Sequence, residues 1–496
     1  MNNMNRQQIV PKIGSLPYVP KKVTYAAMLT YAAALVACTV IYKNYMLELR
    51  WVLFGLVEVL GFFYFANYCS KTWATVKPKT FIKNLFWWGL AIRVLWVLIS
   101  YLLYTHWTGT PFSIDAADEL FYDEMGHYGA RLLWDGQFAI YDPMVKYAGR
   151  VAFSDMGYPI YLSIIYYIFF DSILMARIVK AIWGAWTAVL LYKLVARNFG
   201  EHTGRMAGVM CMLMPTLIYY CSFQLKEVEM VFLAVLFAER ADALLRMNKI
   251  PWRSLVLLML IPAYMFMIRT ALAATLVLAF MCALLFTSGR VVNVGRRIGL
   301  SVVAVAAAVV MLFSTTSIGE EVSQMWETGG SEQQANMEWR AERTDMVGGL
   351  NQRFAKYAGA AVFAPMIFTI PFPTMAETPG QENQKMIHGG NFVKNILSFF
   401  TIIAIVLLLI TGEWRKHVLP LAILCGYLLV LVFSNYAHSE RFHQPTLPFT
   451  LMMVAYGISQ MKQVRWIRSW YPWWCVLMFV AALAWNWFKL AGRGMI

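Results

Sequence analysis

Residues 85–105 read LFWWGLAIRVLWVLISYLLYT, and residues 113–124, a short distance further on, read SIDAADELFYDE. The first stretch has the length of about 20 residues that a helix needs to cross a bilayer, and its one charge is Arg93. The second stretch crowds acids and aromatics together. Adjacent carboxylates repel one another, so they are tolerable where they bind a cation, accept a proton or face water. Together the two stretches predict a membrane helix that leads into a chemically active surface segment.

The composition of the whole chain is that of an integral membrane protein. Of its 496 residues, 60% are hydrophobic and 14% are charged, with a mean hydropathy of +0.55. Soluble domains are nearer half apolar and a quarter charged. The 19 Trp and 26 Tyr fit aromatic belts at the two membrane interfaces.

The distribution of charge argues against a nucleic-acid-binding protein, and the positions of the cysteines argue against disulfides or metal ligands. A formal net charge of +15 would suggest nucleic acid in a soluble protein. Here the basic residues fall mainly in short loops between apolar runs, as the positive-inside rule expects, so no nucleic-acid partner is predicted. The seven cysteines lie in or at the ends of apolar runs without a CxxC pair, and we interpret them as buried small hydrophobes.

Apolar runs predict an all-α, polytopic membrane protein of about thirteen transmembrane helices with helical extracytoplasmic loops. The runs lie at roughly 24–42, 51–69, 85–105, 172–195, 206–223, 228–245, 254–268, 271–287, 298–315, 392–411, 417–435, 446–461 and 470–488. Placing the N-terminus and all the basic loops in the cytoplasm is self-consistent. We expect the first helix to be retained rather than cleaved as a signal peptide.

This topology leaves two long polar segments outside the membrane, at about 106–157 and 317–391. In the second, residues 352–372 could form an interfacial helix over the site, or simply a solvated loop with one docking helix. The apolar run from Tyr158 to Phe170 is short for a span. We interpret it as a juxtamembrane or re-entrant helix, because a crossing there would turn the later basic loops outward.

Several short motifs follow one another along the chain. They are Asp118-Glu119-Leu120-Phe121-Tyr122 in the first outer segment, Gly157-Tyr158-Pro159, Lys226-Glu227, and Arg441-Phe442-His443-Gln444-Pro445 near the C-terminus. Their order resembles the GT-C superfamily of membrane glycosyltransferases, and most closely the protein O-mannosyltransferase and lipid A aminoarabinose transferase group. Enzymes of that group carry an Asp-Glu-x-x-Tyr motif in the first external loop and a second acid in the next.

The resemblance covers most of residues 85–290 and, weakly, the region around Arg441. It implies a GT-C-like arrangement in three parts. These are 1–84 with the N-terminal tail and two extra membrane helices, 85–290 as the catalytic membrane module with its outer loop 106–157, and 291–496 with the C-terminal helices and the outer loop 317–391.

The acids suggest acid–base chemistry. When a sugar leaves a lipid phosphate, the acceptor oxygen needs a base, and Asp118 at the mouth of a helix bundle is a plausible one. The resemblance points to the same residue, with Glu119 beside it and Glu227 as the second site acid. Alternatively, Asp118 and Glu119 cap a helix beginning at Leu120, and Glu227 with Lys226 forms a helix-end salt bridge of little energetic worth.

The departing phosphate needs positive charge, which arginine donates in a fork. Lys226, Arg269, Arg441 and His443 are the expected phosphate-binding residues. Arg177 is another candidate, although it could instead snorkel to an interface. The remaining predicted substrate-binding residues are Asp115, Tyr122 and Tyr158. No metal ligands are assigned, since no His spacing demands a metal, and a divalent cation stays open as a cofactor.

The predicted function is transfer of a sugar from a polyprenyl-phosphate or diphosphate carrier to a glycan, lipid or protein acceptor. The active site would be extracytoplasmic, on a multi-pass protein of the bacterial inner membrane. A transporter or flippase for a lipid-linked sugar is the competing class, but transporters tend to show paired repeats, which the sequence lacks. A polymerase of lipid-linked oligosaccharides would use the same donors.

Overall fold

The structure is a computed structural model that describes residues 16–114, 116–149, 153–247, 251–286, 366–433 and 439–496. The predicted span 298–315, most of the second outer segment, Asp115 and His438 lie outside these residues. The described chain is helical and contains no strand, which confirms the predicted all-α class. Its helices are α1 (Lys21–Ile41), α2 (Leu49–Thr72), α3 (Pro78–Thr108), α4 (Ala117–Trp134), α5 (Tyr141–Ala148), α6 (Phe153–Phe169), α7 (Ile173–Phe199), α8 (Glu201–Leu213), α9 (Pro215–Tyr219), α10 (Glu227–Leu245), α11 (Trp252–Phe266), α12 (Thr270–Phe286), α13 (Glu382–Met386), α14 (His388–Thr411), α15 (Val418–Phe433), α16 (Glu440–His443), α17 (Leu447–Gln460) and α18 (Arg465–Ala491).

Six of the described helices are long and apolar enough to cross a membrane: α1, α2, α3, α7, α14 and α18. Helices α11, α12 and α15 are apolar but shorter. The chain is therefore a multi-pass membrane protein, and the count of about thirteen spans stays a prediction. The two N-terminal helices join the rest of the bundle, since α1 packs against α18 and α2 packs against α14.

The predicted span 206–223 is wrong as a single helix, because the chain breaks at Met214. Proline has no N–H and disfavours helical backbone in the residue before it, so Pro215 ends α8 and leaves Met214 extended. The break exposes carbonyl groups inside the bundle. The buried Arg93 of α3 satisfies them, donating to the carbonyls of Cys211 at 3.2 Å and Met212 at 3.1 Å. This intramembrane charge therefore has a structural partner.

The described end of the second outer segment, residues 366–372, is a turn followed by irregular backbone, so a helix over 352–372, one of the two alternatives, does not extend to its end. Buried side chains of neighbouring helices satisfy this irregular stretch. Asn395 donates to the Pro371 carbonyl at 2.9 Å. Asn486 accepts from the Met375 N–H at 2.7 Å. The segment is thereby fixed against α14 and α18.

Helix α6 confirms that the short apolar run after Tyr158 is helical. It packs against α4, and its chain then turns sharply at Phe170 and Asp171, both at positive φ. Phe170 is 84% exposed and Phe138, after α4, is 77% exposed. An apolar edge of this kind suits a helix pair lying at a membrane interface, as the juxtamembrane interpretation expects.

Candidate active site

The acids of the first outer segment lie at the start of α4. The helix begins at Ala117 rather than at Leu120, and Asp118 and Glu119 occupy its first turn, where the helix dipole favours negative charge. The N-cap residue makes no side-chain cap. The two carboxylates contact other parts of the chain, so the geometry does not fit simple capping.

Arg441 joins two of the predicted acids. Its Nη1 donates to Asp118, from which it is separated by 323 residues, and its Nε donates to Glu227 at the start of α10. The Asp118 side chain is 58% exposed, whereas the Glu227 side chain is 2% exposed. The Arg441 guanidinium therefore connects an exposed acid at the surface of the site with a buried acid beneath it.

Lys226 forms a second ion pair, with Asp155 near the start of α6. Its ammonium also lies 5.7 Å from the ring centroid of Tyr122, whose hydroxyl is 3.4 Å from the same Asp155 carboxylate. Asp155 was not among the predicted site residues. The available signal was an acid two positions before Gly157 in a largely apolar stretch.

Arg269 adds a third cation in the turn between α11 and α12. Its guanidinium lies 4.4 Å from the ring centroid of Phe442, next to Arg441 in sequence. Burial lowers the pKa of Lys226, and the nearby charge of Arg269 lowers it further, whereas Asp155 raises it. Three cations thus converge on one region, and such a cluster favours an anionic ligand.

Glu119 turns away from this face into the protein. Its carboxylate accepts from the hydroxyl and N–H of Ser113 and from the N–H of Gln224 at 3.0 Å, and Arg177 lies 3.8 Å away. Burial raises the pKa of Glu119, and the Arg177 charge offsets part of that rise. Because the Arg177 side chain is 0% exposed, the arrangement suits a counter-ion of Glu119 better than a snorkelling residue.

Lys180 holds the non-helical residues that precede α10 and lead to Lys226 and Glu227. It donates to the Tyr158 hydroxyl at 2.8 Å, to the Phe223 carbonyl at 2.6 Å and to the Leu225 carbonyl. These contacts hold the non-helical residues before α10, so Lys226 and Glu227 emerge at a fixed place. Tyr158 itself is buried behind Tyr122, with ring centroids 5.2 Å apart.

Of the remaining predicted residues, His443 lies apart from this arrangement. His443 is buried, with its Nδ1 2.9 Å from Nζ of Lys394, and Asp115 lies outside the described residues. His127 pairs with two carboxylates, and its hydrogen bond to Asp123 raises its pKa. In the parts of the chain that the structure describes, no group of three His, Cys, Asp or Glu could hold a metal ion.

A small cleft lies against Glu227, and Arg93, Thr187 and Gln444 also line it. Oε2 of Glu227 and Oε1 of Gln444 are buried, and neither has a hydrogen-bond partner among the described residues. Since buried acceptors need donors, the second oxygen of Glu227 is available to a hydroxyl group or a water molecule.

Gly157 fixes the turn that carries Arg269. Its N–H donates to the Met267 carbonyl at 2.8 Å, and its own carbonyl accepts from Tyr264 at 3.2 Å. A Cβ at this position would lie 2.7 Å from the Met267 oxygen. Glycine is therefore required for this close approach of two backbones.

Gly157→Ala is expected to destabilise the protein, because the Met267 turn must move away from the new methyl group. Overpacking of this kind costs about 1–3 kcal/mol. Gly61→Ala is the matched control, since a Cβ there meets nothing within 4 Å. Thermal unfolding in detergent compares the two. A melting temperature for Gly157→Ala equal to that of Gly61→Ala would show that the close approach is not required.

Comparison with known proteins bears on the region just described. Residues 156–315 match the sequence profile of the dolichyl-phosphate-mannose-protein mannosyltransferase family. This range is less than half of the chain; it includes Tyr158, Lys226, Glu227 and Arg269 but not Asp118. No curated protein matches the chain. The family match supports the resemblance, drawn from the motifs, to the membrane glycosyltransferases of GT-C type.

Proposed function

We propose that this glycosyltransferase moves a sugar from a polyprenyl-phosphate or diphosphate carrier to an acceptor on the extracytoplasmic face of the membrane. The family match supports a lipid-linked sugar donor in general terms. The carrier, the catalytic base and the side of the membrane are parts of the proposal. So is the bacterial inner membrane as the location.

The observation that carries the proposal is the pairing of acids with cations at one end of the bundle. Asp118 and Glu227 share Arg441, and Lys226 with Asp155 lies beside them. A sugar leaving a lipid phosphate needs a base for the acceptor proton and positive charge for the departing phosphate. The group contains both kinds of residue within one site.

Asp118 is the proposed base, because it is the more exposed of the two acids that contact Arg441. A general base must be within hydrogen-bond reach of the acceptor hydroxyl, which an exposed carboxylate allows. Glu227, with one buried oxygen free, would bind a sugar or acceptor hydroxyl. Glu119 would orient the start of α4 from behind.

Lys226, Arg269 and Arg441 would bind the donor phosphate, with Tyr122 beside Lys226. Arg177 remains predicted for this role, but its contact with Glu119 favours a supporting one. The three cations can supply the charge that phosphate departure needs, so the proposal requires no divalent cation.

A transfer assay tests the proposal. Purified protein is given synthetic polyprenyl-phosphate sugars with a radiolabelled sugar, together with candidate acceptor lipids and glycans. We expect the labelled sugar to be transferred to an acceptor at a rate proportional to the enzyme concentration. Failure to transfer label from any donor, combined with protein-dependent movement of the intact donor across liposome membranes, would instead identify a transporter.

A further inference from the structure

Two buried lysines near the site differ in how their ammonium groups are satisfied. An ammonium has three N–H donors. Lys180 has three acceptors, namely the Tyr158 hydroxyl and the carbonyls of Phe223 and Leu225. Lys226 is comparably buried, with its side chain 3% exposed, yet Asp155 is its one hydrogen-bond acceptor within the described ranges.

The partner of Lys226 is itself well placed to leave. The Asp155 side chain is 41% exposed, so water can solvate its carboxylate when it turns away. Lys226 has no such freedom, because an ammonium buried without a counter-ion costs several kcal/mol. The pair therefore consists of a fixed buried cation and a partly solvated anion that neutralises it.

Nearby charges favour an anionic replacement for that carboxylate. Arg269 is close enough to lower the pKa of Lys226, and the Tyr122 hydroxyl is 3.4 Å from the Asp155 oxygen. An anion in the place of the carboxylate would meet Lys226, Tyr122 and the field of Arg269. A phosphate group has more acceptor oxygens than a carboxylate, and could serve the unused donors of Lys226 as well.

We propose that Asp155 is a displaceable counter-ion, which neutralises Lys226 in the empty enzyme and yields its place to the phosphate of the lipid donor. This rests on the proposed function, because it takes the donor to be a polyprenyl phosphate. One negative group leaves as another arrives, so Lys226 is never left buried and unpaired. Asp155 then lowers donor affinity by competing with it, and the product phosphate is released more easily for the same reason.

Asp155→Asn tests the exchange, because it removes the competing charge while keeping the shape and an acceptor oxygen. Binding of a synthetic polyprenyl phosphate in detergent is measured by titration calorimetry, with the corresponding polyprenol as the uncharged probe. The variant is expected to bind the phosphate about tenfold more tightly than wild type, the size of one charge-assisted contact. Asp135→Asn, at an exposed acid after α4, makes the same charge change and should bind like wild type.

The gain in phosphate affinity expected for Asp155→Asn must depend on Lys226. Lys226→Met should weaken phosphate binding about tenfold or more, and adding Asp155→Asn to it should give no further tightening. Thermal unfolding gives an independent measure: empty Asp155→Asn should melt lower than wild type, and polyprenyl phosphate should raise its melting temperature by more than it raises that of wild type. If Asp155→Asn does not fold well, Asp155→Ser is measured in the same way.

The outcomes separate the exchange from the function on which it rests. Wild type preferring phosphate over alcohol, with Asp155→Asn binding equally or more weakly, would overturn the exchange and leave the donor assignment standing. Equal tightening by Asp135→Asn would reduce the effect to general surface charge and also overturn it. Wild type showing no preference for the phosphate would overturn both the exchange and the proposed donor.

Discussion

Replacing Asp118 by Asn is expected to abolish sugar transfer, with a loss of about 100- to 10,000-fold, the typical effect of removing a general base. Asparagine has nearly the same shape, and its amide oxygen can still accept the hydrogen bond from Arg441. It cannot take a proton at neutral pH. The variant should therefore keep nearly the stability and donor affinity of wild type, while its turnover is lost.

The measurement is the initial rate of labelled sugar transfer at saturating donor, together with donor binding and thermal unfolding of the same preparation. Asp135→Asn again serves as control, since it is an exposed acid close to the same helix but outside the site. Turnover of Asp118→Asn within a few-fold of wild type would exclude the base role. The acid would then be left as a partner that positions Arg441.

The second large effect is expected for Arg441→Lys, which keeps the charge but loses the fork. Arg441 reaches Asp118 through Nη1 and Glu227 through Nε at the same time. A lysine has a single nitrogen and cannot reproduce this planar, two-sided contact. In the proposed function Arg441 also binds the donor phosphate, and a lysine there would lose one charge-assisted contact to it. Such a loss costs roughly 1.5–3 kcal/mol, so donor affinity should fall about ten- to more than a hundredfold.

Donor titrations and transfer rates of Arg441→Lys are compared with those of Arg415→Lys, an exposed arginine in the turn between α14 and α15. The control should behave like wild type in both measurements. If Arg441→Lys also kept wild-type affinity and rate, the guanidinium would be acting only as a point charge. The fork assigned to it would then play no part in binding the donor phosphate.

Much of the architecture was predictable from local pattern. Long apolar runs gave helices because a chain in lipid must satisfy every backbone group within its own segment, and α3, α7, α14 and α18 lie close to their predicted ranges. Pro215 marks the break at Met214 in the sequence, but the prediction placed both residues inside the single span 206–223. Long hydrophobic stretches can accommodate a proline, so the sequence did not show whether the helix would kink or stop.

The site was predictable only in part. Acids at the starts of α4 and α10 and cations near helix ends were candidates by residue type, and motif order indicated their chemistry. Asp155 was missed because its importance lies in its distance to Lys226, and no local pattern encodes that distance. Arg177 was treated as a phosphate ligand or a snorkelling residue, since its proximity to Glu119 depends on how the fold places the start of α4 near α7.

The sequence by itself determined that this is a membrane protein whose described part is helical, because hydrophobic length and charge distribution act locally along the chain. The outward side of its acidic segment stays a prediction. Its motif order also indicated the GT-C type. Only the tertiary structure decided which acid meets which cation: Arg441 between Asp118 and Glu227, and Lys226 against Asp155. Ion pairs form between residues that the bundle brings within a few ångströms, and that geometry is set by helix packing over hundreds of residues.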